Sequence, residues 1–267
     1  MGSTYPRYNL KSSNETLPIS GTSTAEGGCS TFAAQPPSAV VSGLLFDMGD
    51  VLYDATAWRR WLIQLLRRFD LHLDYNTLFH SWDRNYLREV HRGERPLCEA
   101  FREFMDSIGL KKPQIDEIEL ACQARRHQLE REARPLPGVR ATIGRLYESG
   151  LKLGVLSDSE YPGEELKERM QRFGLGGFFS AVVSSRDLGQ TKPEPACYLR
   201  ALKQMGATAS ESAFVGHDAG ELAGARAVGM RTIAFNFDPE AQADVYIARF
   251  EELIQEVVKP TKLASVG

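Results

Sequence analysis

The chain has no run of about 18 apolar residues, so no segment can cross a bilayer as a helix. Its four cysteines, Cys29, Cys98, Cys122 and Cys197, lie far apart and form no CxxC pair. That excludes a zinc ribbon and a disulfide scaffold. It fits a reducing compartment, and the expected location is cytoplasmic. An excess of basic residues is also missing: 32 Lys and Arg stand against 35 Asp and Glu, for a formal net charge of −3. No nucleic-acid partner is expected on that balance, and no membrane partner. Neither GxGxxG nor GxxxxGK[ST] occurs, so a nucleotide cradle is unsupported. Without GxSxG there is no serine nucleophile elbow. The first residues carry no Lys/Arg-then-apolar leader, and MGSTYP has no Ser or Thr at its sixth position. Neither secretion nor myristoylation is expected. Arg7 and Lys11 among hydroxyl residues suit an organelle transit segment, but Glu15 and Glu26 oppose it.

What is present is a chain of 267 residues, 42% hydrophobic, long enough for one large domain or two small ones with a real core. Residues 1–39 are rich in Ser, Thr, Gly and Pro and read as a disordered segment. A first buried strand is expected at Gly43–Asp47 (GLLFD), with Val40 and Val41 as candidates for its start. Its apolar residues run together, as in a parallel strand covered on both faces. Residues 56–135 are helical. Trp58, Trp61, Leu62, Leu65, Leu66 and Phe69 recur at spacings of three and four. Further helices are expected at 75–90, 97–108 and 114–132, with breaks near Gly93 and Gly109.

From Pro137 the pattern alternates. Helices are expected at 138–149, 163–173, 194–205 and 220–228, and a last one from Phe250. Between them fall strands at Leu151–Ser157, 178–183, Ala213–Gly216, Arg231–Phe235 and Val245–Ile247. The fold class is therefore α/β, a Rossmann-like parallel sheet with helices on both faces. Residues 40–55 and 136–267 form the core in this reading. Residues 56–135 are a helical cap inserted after the first strand.

Open α/β sheets bind ligands beyond the carboxyl ends of their strands. Those ends carry Asp47, then Ser157 and Asp158, then Asp187 and Lys192, then His217, Asp218 and Glu221. Each has an ordinary structural explanation when taken alone. An Asp forms turns, and a Ser caps them. Lys192 before Pro193 suits a helix start, and Glu221 suits a first helical turn. Convergence at four successive strand ends points instead to a site for a divalent cation and an anionic group.

The order of these residues resembles the haloacid dehalogenase-like superfamily, over about residues 43–257. The motifs that carry the resemblance are FDMGDVLYD, GVLSDS, the lysine of LGQTKPEP, and FVGHDAGELAGARAVGM. The resemblance implies a metal-dependent phosphoric monoester hydrolase acting on a small phosphorylated metabolite. Asp47 would be the nucleophile, forming an aspartyl-phosphate. Ser157 and Asp158 would belong to the substrate-binding set, and Ser157 would hydrogen-bond a phosphoryl oxygen. Lys192 would pair with both Asp47 and the phosphate. The metal set would be Asp47, the Gly49 carbonyl, His217, Asp218 and Glu221, holding Mg²⁺, with Mn²⁺ as the alternative.

Two positions depart from the pattern. Gly49 stands where the superfamily has a second Asp, the general acid/base, and Asp50 follows where a Gly is usual. His217 stands where the principal metal-binding Asp is usual. Either Asp218 supplies the missing oxygen one residue later, or it caps the helix that follows. Two other readings stay open: a phosphate- or partner-binding module, and a metal-independent dehalogenase. Asp54 is expected in a turn and Asp187 as the support of the Lys192 loop. His91, Arg92, Arg95, Arg125, Arg126 and His127 are the substrate-selecting candidates of the cap. Of these, Arg125 and Arg126 are expected on a solvated face.

Overall fold

The computed structural model describes residues 41–258. The expected disordered segment 1–39, Val40 and Cys29 lie outside the described residues.

Six parallel strands form one sheet: β1 (Gly43–Phe46), β2 (Lys152–Ser157), β3 (Ala181–Ser184), β4 (Ser212–Gly216), β5 (Arg231–Phe235) and β6 (Val245–Ile247). Their order is β3-β2-β1-β4-β5-β6. β1 pairs with β2 on one side and β4 on the other, so the direction of winding reverses at β1. Outside the carboxyl ends of such a switch point the flanking loops part and leave a crevice.

The connecting helices are α1 (Ala57–Arg67), α2 (Tyr75–Trp82), α3 (Arg88–His91), α4 (Leu97–Ser107), α5 (Lys112–Glu132), α6 (Val139–Glu148), α7 (Gly163–Arg172), α8 (Ser185–Leu188), α9 (Pro195–Met205), α10 (Ala219–Ala227) and α11 (Leu253–Val257).

Alternation along β1 divides the core. Leu44 and Phe46 pack with Ile143 and Leu146 of α6, Leu166 and Met170 of α7, and Leu253 of α11. Leu45 packs on the other face with Tyr198, Leu202 and Met205 of α9 and Leu222 of α10. Gly154, mid-β2, is a glycine because α9 comes so close: a Cβ there would lie 2.5 Å from Met205 Sδ. Helices α1–α5 have an apolar cluster of their own, centred on Leu62, Leu66, Phe79, Trp82, Phe101 and Phe104.

Three expected elements differ. The first strand ends at Phe46, although Asp47 N still donates to Val215 O and continues the ladder by one bond. The helix expected at 75–90 is interrupted by a π-helical turn at Asp83–Leu87. The strand expected at 178–183 begins at Ala181. Phe178 and Phe179 are apolar, but they pack against the core from a turn instead of pairing.

Candidate active site

Asp47 leaves the end of β1 and is buried. Lys192 comes from the loop between α8 and α9, and its side chain is wholly enclosed. Its ammonium donates to Asp47 Oδ1 and lies 2.6 Å from Glu221 Oε1. His217, the first residue after β4, sets its Nδ1 3.5 Å from Asp47 Oδ2 and 4.0 Å from Glu221 Oε2. Glu221 lies in the first turn of α10, which carries its carboxylate back toward the end of β4. Four residues, one after β1, one before α9 and two from the end of β4 and the start of α10, thus share one small polar basin.

Two carboxylates face one ammonium here. Burial alone would raise the Asp47 carboxyl, but Lys192 and His217 hold it below the usual range. Glu221 moves the other way, raised by burial and by the Asp47 charge despite Lys192 and His217. Burial works against the charge on Lys192, yet Asp47 and Glu221 keep it well above its ordinary value. Burial likewise opposes the imidazolium of His217, but Asp47 and Glu221 push it up to about 10.

The distances leave part of the basin unsatisfied. Hydrogen bonds to nitrogen run about 2.7–3.2 Å, so 3.5 and 4.0 Å are too long. His217 Nδ1 and Glu221 Oε2 are both buried without a hydrogen-bond partner. Such groups are costly unless something fills the space between them. Asp47, His217 and Glu221 each offer a ligand atom, and these atoms lie within 4.8 Å of one another. The donor set fits a cation.

The other expected residues divide. Asp158 follows β2 and accepts from Lys192 N at 3.1 Å, so its carboxylate holds the lysine loop. Ser157 is buried at the end of β2, in register with Ser184. Asp218 takes the capping role that the sequence left open beside the ligand role: it is the N-cap of α10, its Oδ1 accepting from Glu221 N at 3.0 Å. Asp187 lies in α8, which leads into the Lys192 loop. It accepts from Gly163 N at 2.7 Å and so ties α8 to the start of α7. Asp54 makes the expected turn, accepting from Thr56 N and Thr56 Oγ1.

Gly49 leaves the acid/base position without a side chain. A Cβ built there would stand 3.1 Å from Ala55 Cβ, tight but not blocked. Asp50 does not reach across to replace it. Its φ of 55° is left-handed, which explains why a Gly suits this position, and its Oδ1 accepts from Ala55 N.

Arg126 was expected on a solvated face and is not there. It pairs with Glu160 and Tyr161, which follow β2, and its guanidinium lies 4.9 Å from the Tyr161 ring centroid. Arg169 of α7 lies 4.9 Å from the same ring and donates to Tyr53 Oη. On the other flank Arg92 pairs with Glu194, two residues beyond Lys192. Ser185 Oγ donates to His91 O at 2.7 Å. Burial pulls the His91 imidazole below its ordinary value. Glu160 and Tyr161 directly follow the GVLSDS motif.

The family model of the haloacid dehalogenase-like hydrolases matches residues 41–229, most of the chain. The chain belongs to the haloacid dehalogenase-like hydrolases. Among relatives of this hydrolase is a glyceraldehyde 3-phosphate phosphatase of Methanocaldococcus jannaschii, 26% identical over 84% of this chain and 99% of that enzyme. A phosphoglycolate phosphatase of Pseudomonas syringae pv. syringae is 31% identical over 38% of this chain and 36% of its own length. The hydrolase fold is also that of the Bacillus subtilis hydrolase YfnB in a magnesium-bound structure. The TM-score is 0.62 at 20% identity, covering 82% of this chain and 99% of that one. A dehalogenase structure superposes with a TM-score of 0.63 at 19% identity, covering 82% and 98%.

Proposed function

We propose that this hydrolase cleaves small phosphoric monoesters through an aspartyl-phosphate on Asp47. The observation that carries the reading is the buried Asp47 carboxylate, kept ionised by the ammonium of Lys192. A buried anion that must attack another anion needs that neutralisation. The phosphatase relatives support the same substrate chemistry.

In this mechanism Asp47 attacks phosphorus, the Asp47–phosphorus bond forms, and the ester oxygen leaves with its electron pair. Lys192 holds Asp47 in place and balances the phosphoryl charge. Ser157 hydrogen-bonds a phosphoryl oxygen, and Asp158 keeps the lysine loop in register. Water then attacks phosphorus, releasing inorganic phosphate and the Asp47 carboxylate. With Gly49 at the acid/base position, the leaving oxygen takes its proton from solvent. The chain's own chemistry therefore favours good leaving groups, such as an anomeric phosphate. Asp47, His217 and Glu221, with the Gly49 carbonyl, would hold a divalent cation, which when bound supplies charge neutralisation at the phosphoryl oxygens. Helices α1–α5 act as a cap that excludes water from the basin.

The test is hydrolysis of p-nitrophenyl phosphate and a panel of sugar phosphates, with and without added divalent ions. Asp47→Asn should abolish turnover, and acid quench of the wild type should trap phosphate on the chain. Chelator-insensitive release of halide from a 2-haloacid, with no phosphate released, would replace this reading with a dehalogenase.

A further inference from the structure

The two carboxylates of the basin are each divided between two neighbours. Lys192 Nζ takes Asp47 Oδ1 and Glu221 Oε1. The remaining oxygens, Asp47 Oδ2 and Glu221 Oε2, are the ones nearest His217 Nδ1, at 3.5 and 4.0 Å. Nδ1 and Oε2 are buried and unpartnered. An ion about 2.1 Å from each of two donors sets them about 3 Å apart at a right angle and about 4.2 Å apart in line. Both measured separations fall in that interval. They are too long for direct hydrogen bonds.

One donor of the three is an imidazole nitrogen. Mg²⁺ prefers an all-oxygen octahedron and dehydrates reluctantly, whereas imidazole suits Mn²⁺, Co²⁺, Zn²⁺ and their first-row neighbours. We infer that this basin takes a first-row transition ion through His217 Nδ1, Asp47 Oδ2 and Glu221 Oε2, in preference to Mg²⁺, the ion displacing the imidazole proton to solvent as it binds. The inference rests on the site proposed above and assigns its ion from this chain's own histidine. Asp218 is not among these clustered donors, and its Oδ1 accepts from the amide of Glu221.

The test is ion binding by the metal-stripped full-length chain, read without reference to turnover. Mn²⁺ is followed by electron paramagnetic resonance and Mg²⁺ by calorimetry. Bound Mn²⁺ should show nitrogen coupling in its spin-echo modulation, and the coupling should change when the histidines are labelled with ¹⁵N. In His217→Asp the coupling should vanish, and the preference for Mn²⁺ over Mg²⁺ should fall at least tenfold. The labelling arm uses the wild type and stands if the variant does not fold. Mn²⁺ bound without nitrogen coupling overturns the inference, as does an unchanged preference in a folded His217→Asp. So does failure of Mn²⁺, Co²⁺ and Zn²⁺ all to bind at millimolar concentration. No binding of any of these ions, together with hydrolysis of p-nitrophenyl phosphate by the ion-free chain, would overturn the inference while leaving the proposed function in place. Nitrogen-coupled Mn²⁺ with no turnover of any ester would leave the inference standing and remove the proposed function.

Discussion

Lys192 Nζ lies 2.6 Å from Glu221 Oε1, with the ammonium wholly out of solvent. The two residues come from different segments, one in the loop before α9 and one in the first turn of α10. Their contact brings α10 against the lysine loop, and Tyr198 Oη of α9 closes the same corner by donating to Glu221 O at 2.7 Å. The lysine is therefore both a structural tie and the group that sets the charge of Asp47.

Replacing that ammonium separates the two roles. Lys192→Met leaves two buried carboxylates facing each other, and the loss of one partner of a buried pair costs about 3–5 kcal/mol. Turnover should fall by about 10²- to 10³-fold or more, as when a preorganised electrostatic partner is removed. Adding Glu221→Gln removes one of the stranded charges. The double variant should regain a good part of the stability in urea unfolding and none of the activity. Recovery of turnover together with stability would show that Lys192 acts only as a structural tie.

Gly49 makes a second expectation. Gly49→Asp would supply a carboxyl where the mechanism lacks an acid, a group that contributes about 10²–10⁴ in rate when well placed. The gain should be largest for alkyl phosphates and small for p-nitrophenyl phosphate, whose leaving group needs no proton. The new Cβ meets Ala55 Cβ at 3.1 Å, so some stability is lost, about 1–3 kcal/mol as for overpacking. Ala55→Gly in the same chain should restore it. Equal rate changes on both substrates would remove the acid/base argument.

The alternation of strands and helices was legible because each central parallel strand is a short apolar run bounded by turn residues, as in GLLFD and AFVG. Asp47, Lys192, His217 and Glu221 were legible because each follows a strand or the loop that leaves one. The partner of Asp218 was not, since an Asp one residue before a helix suits a cap and a ligand equally. Arg126 was missed for a different reason. In α5 only Ile115 and Ile118 are buried, both near its start, so apolar periodicity says nothing about which face its far end presents. Ion pairing with Glu160 fixes that face, and such a partner lies outside any local pattern.

The Arg126–Glu160 pair yields a third expectation, about the cap. The contact joins α5 to the segment after β2, whose Asp158 holds the lysine loop. Arg126→Ala should loosen the second half of α5, seen as faster amide exchange between residues 119 and 132, with the amides of β1 and β4 unchanged. On the proposed function, in which α1–α5 cap the basin, KM should rise several-fold more than kcat changes. Glu160→Gln should do the same, and the double variant should add little, as expected for two halves of one contact. Fully additive losses would show that the two residues act separately.

The edge of the sheet gives a pH-dependent expectation away from the basin. Asp244, just before β6, accepts from Thr232 N at 2.7 Å and Thr232 Oγ1 at 2.8 Å, and Arg226 lies 3.3 Å away. Burial raises its carboxyl, but these donors and the nearby arginines outweigh burial and hold it below the usual 3.8. A carboxyl lowered by folding binds its proton more weakly in the native state than in the unfolded one. Its stabilising contribution is therefore complete above the unfolded value, about 3.9, and is lost as the pH falls through the lower native value. Asp244→Asn should cost stability at pH 7, and the difference from wild type should shrink steadily below about pH 4. The measurement is urea unfolding of both chains between pH 3 and pH 7. A difference that stays constant over that range would mean that Asp244 holds Thr232 by shape alone, with no share for its charge.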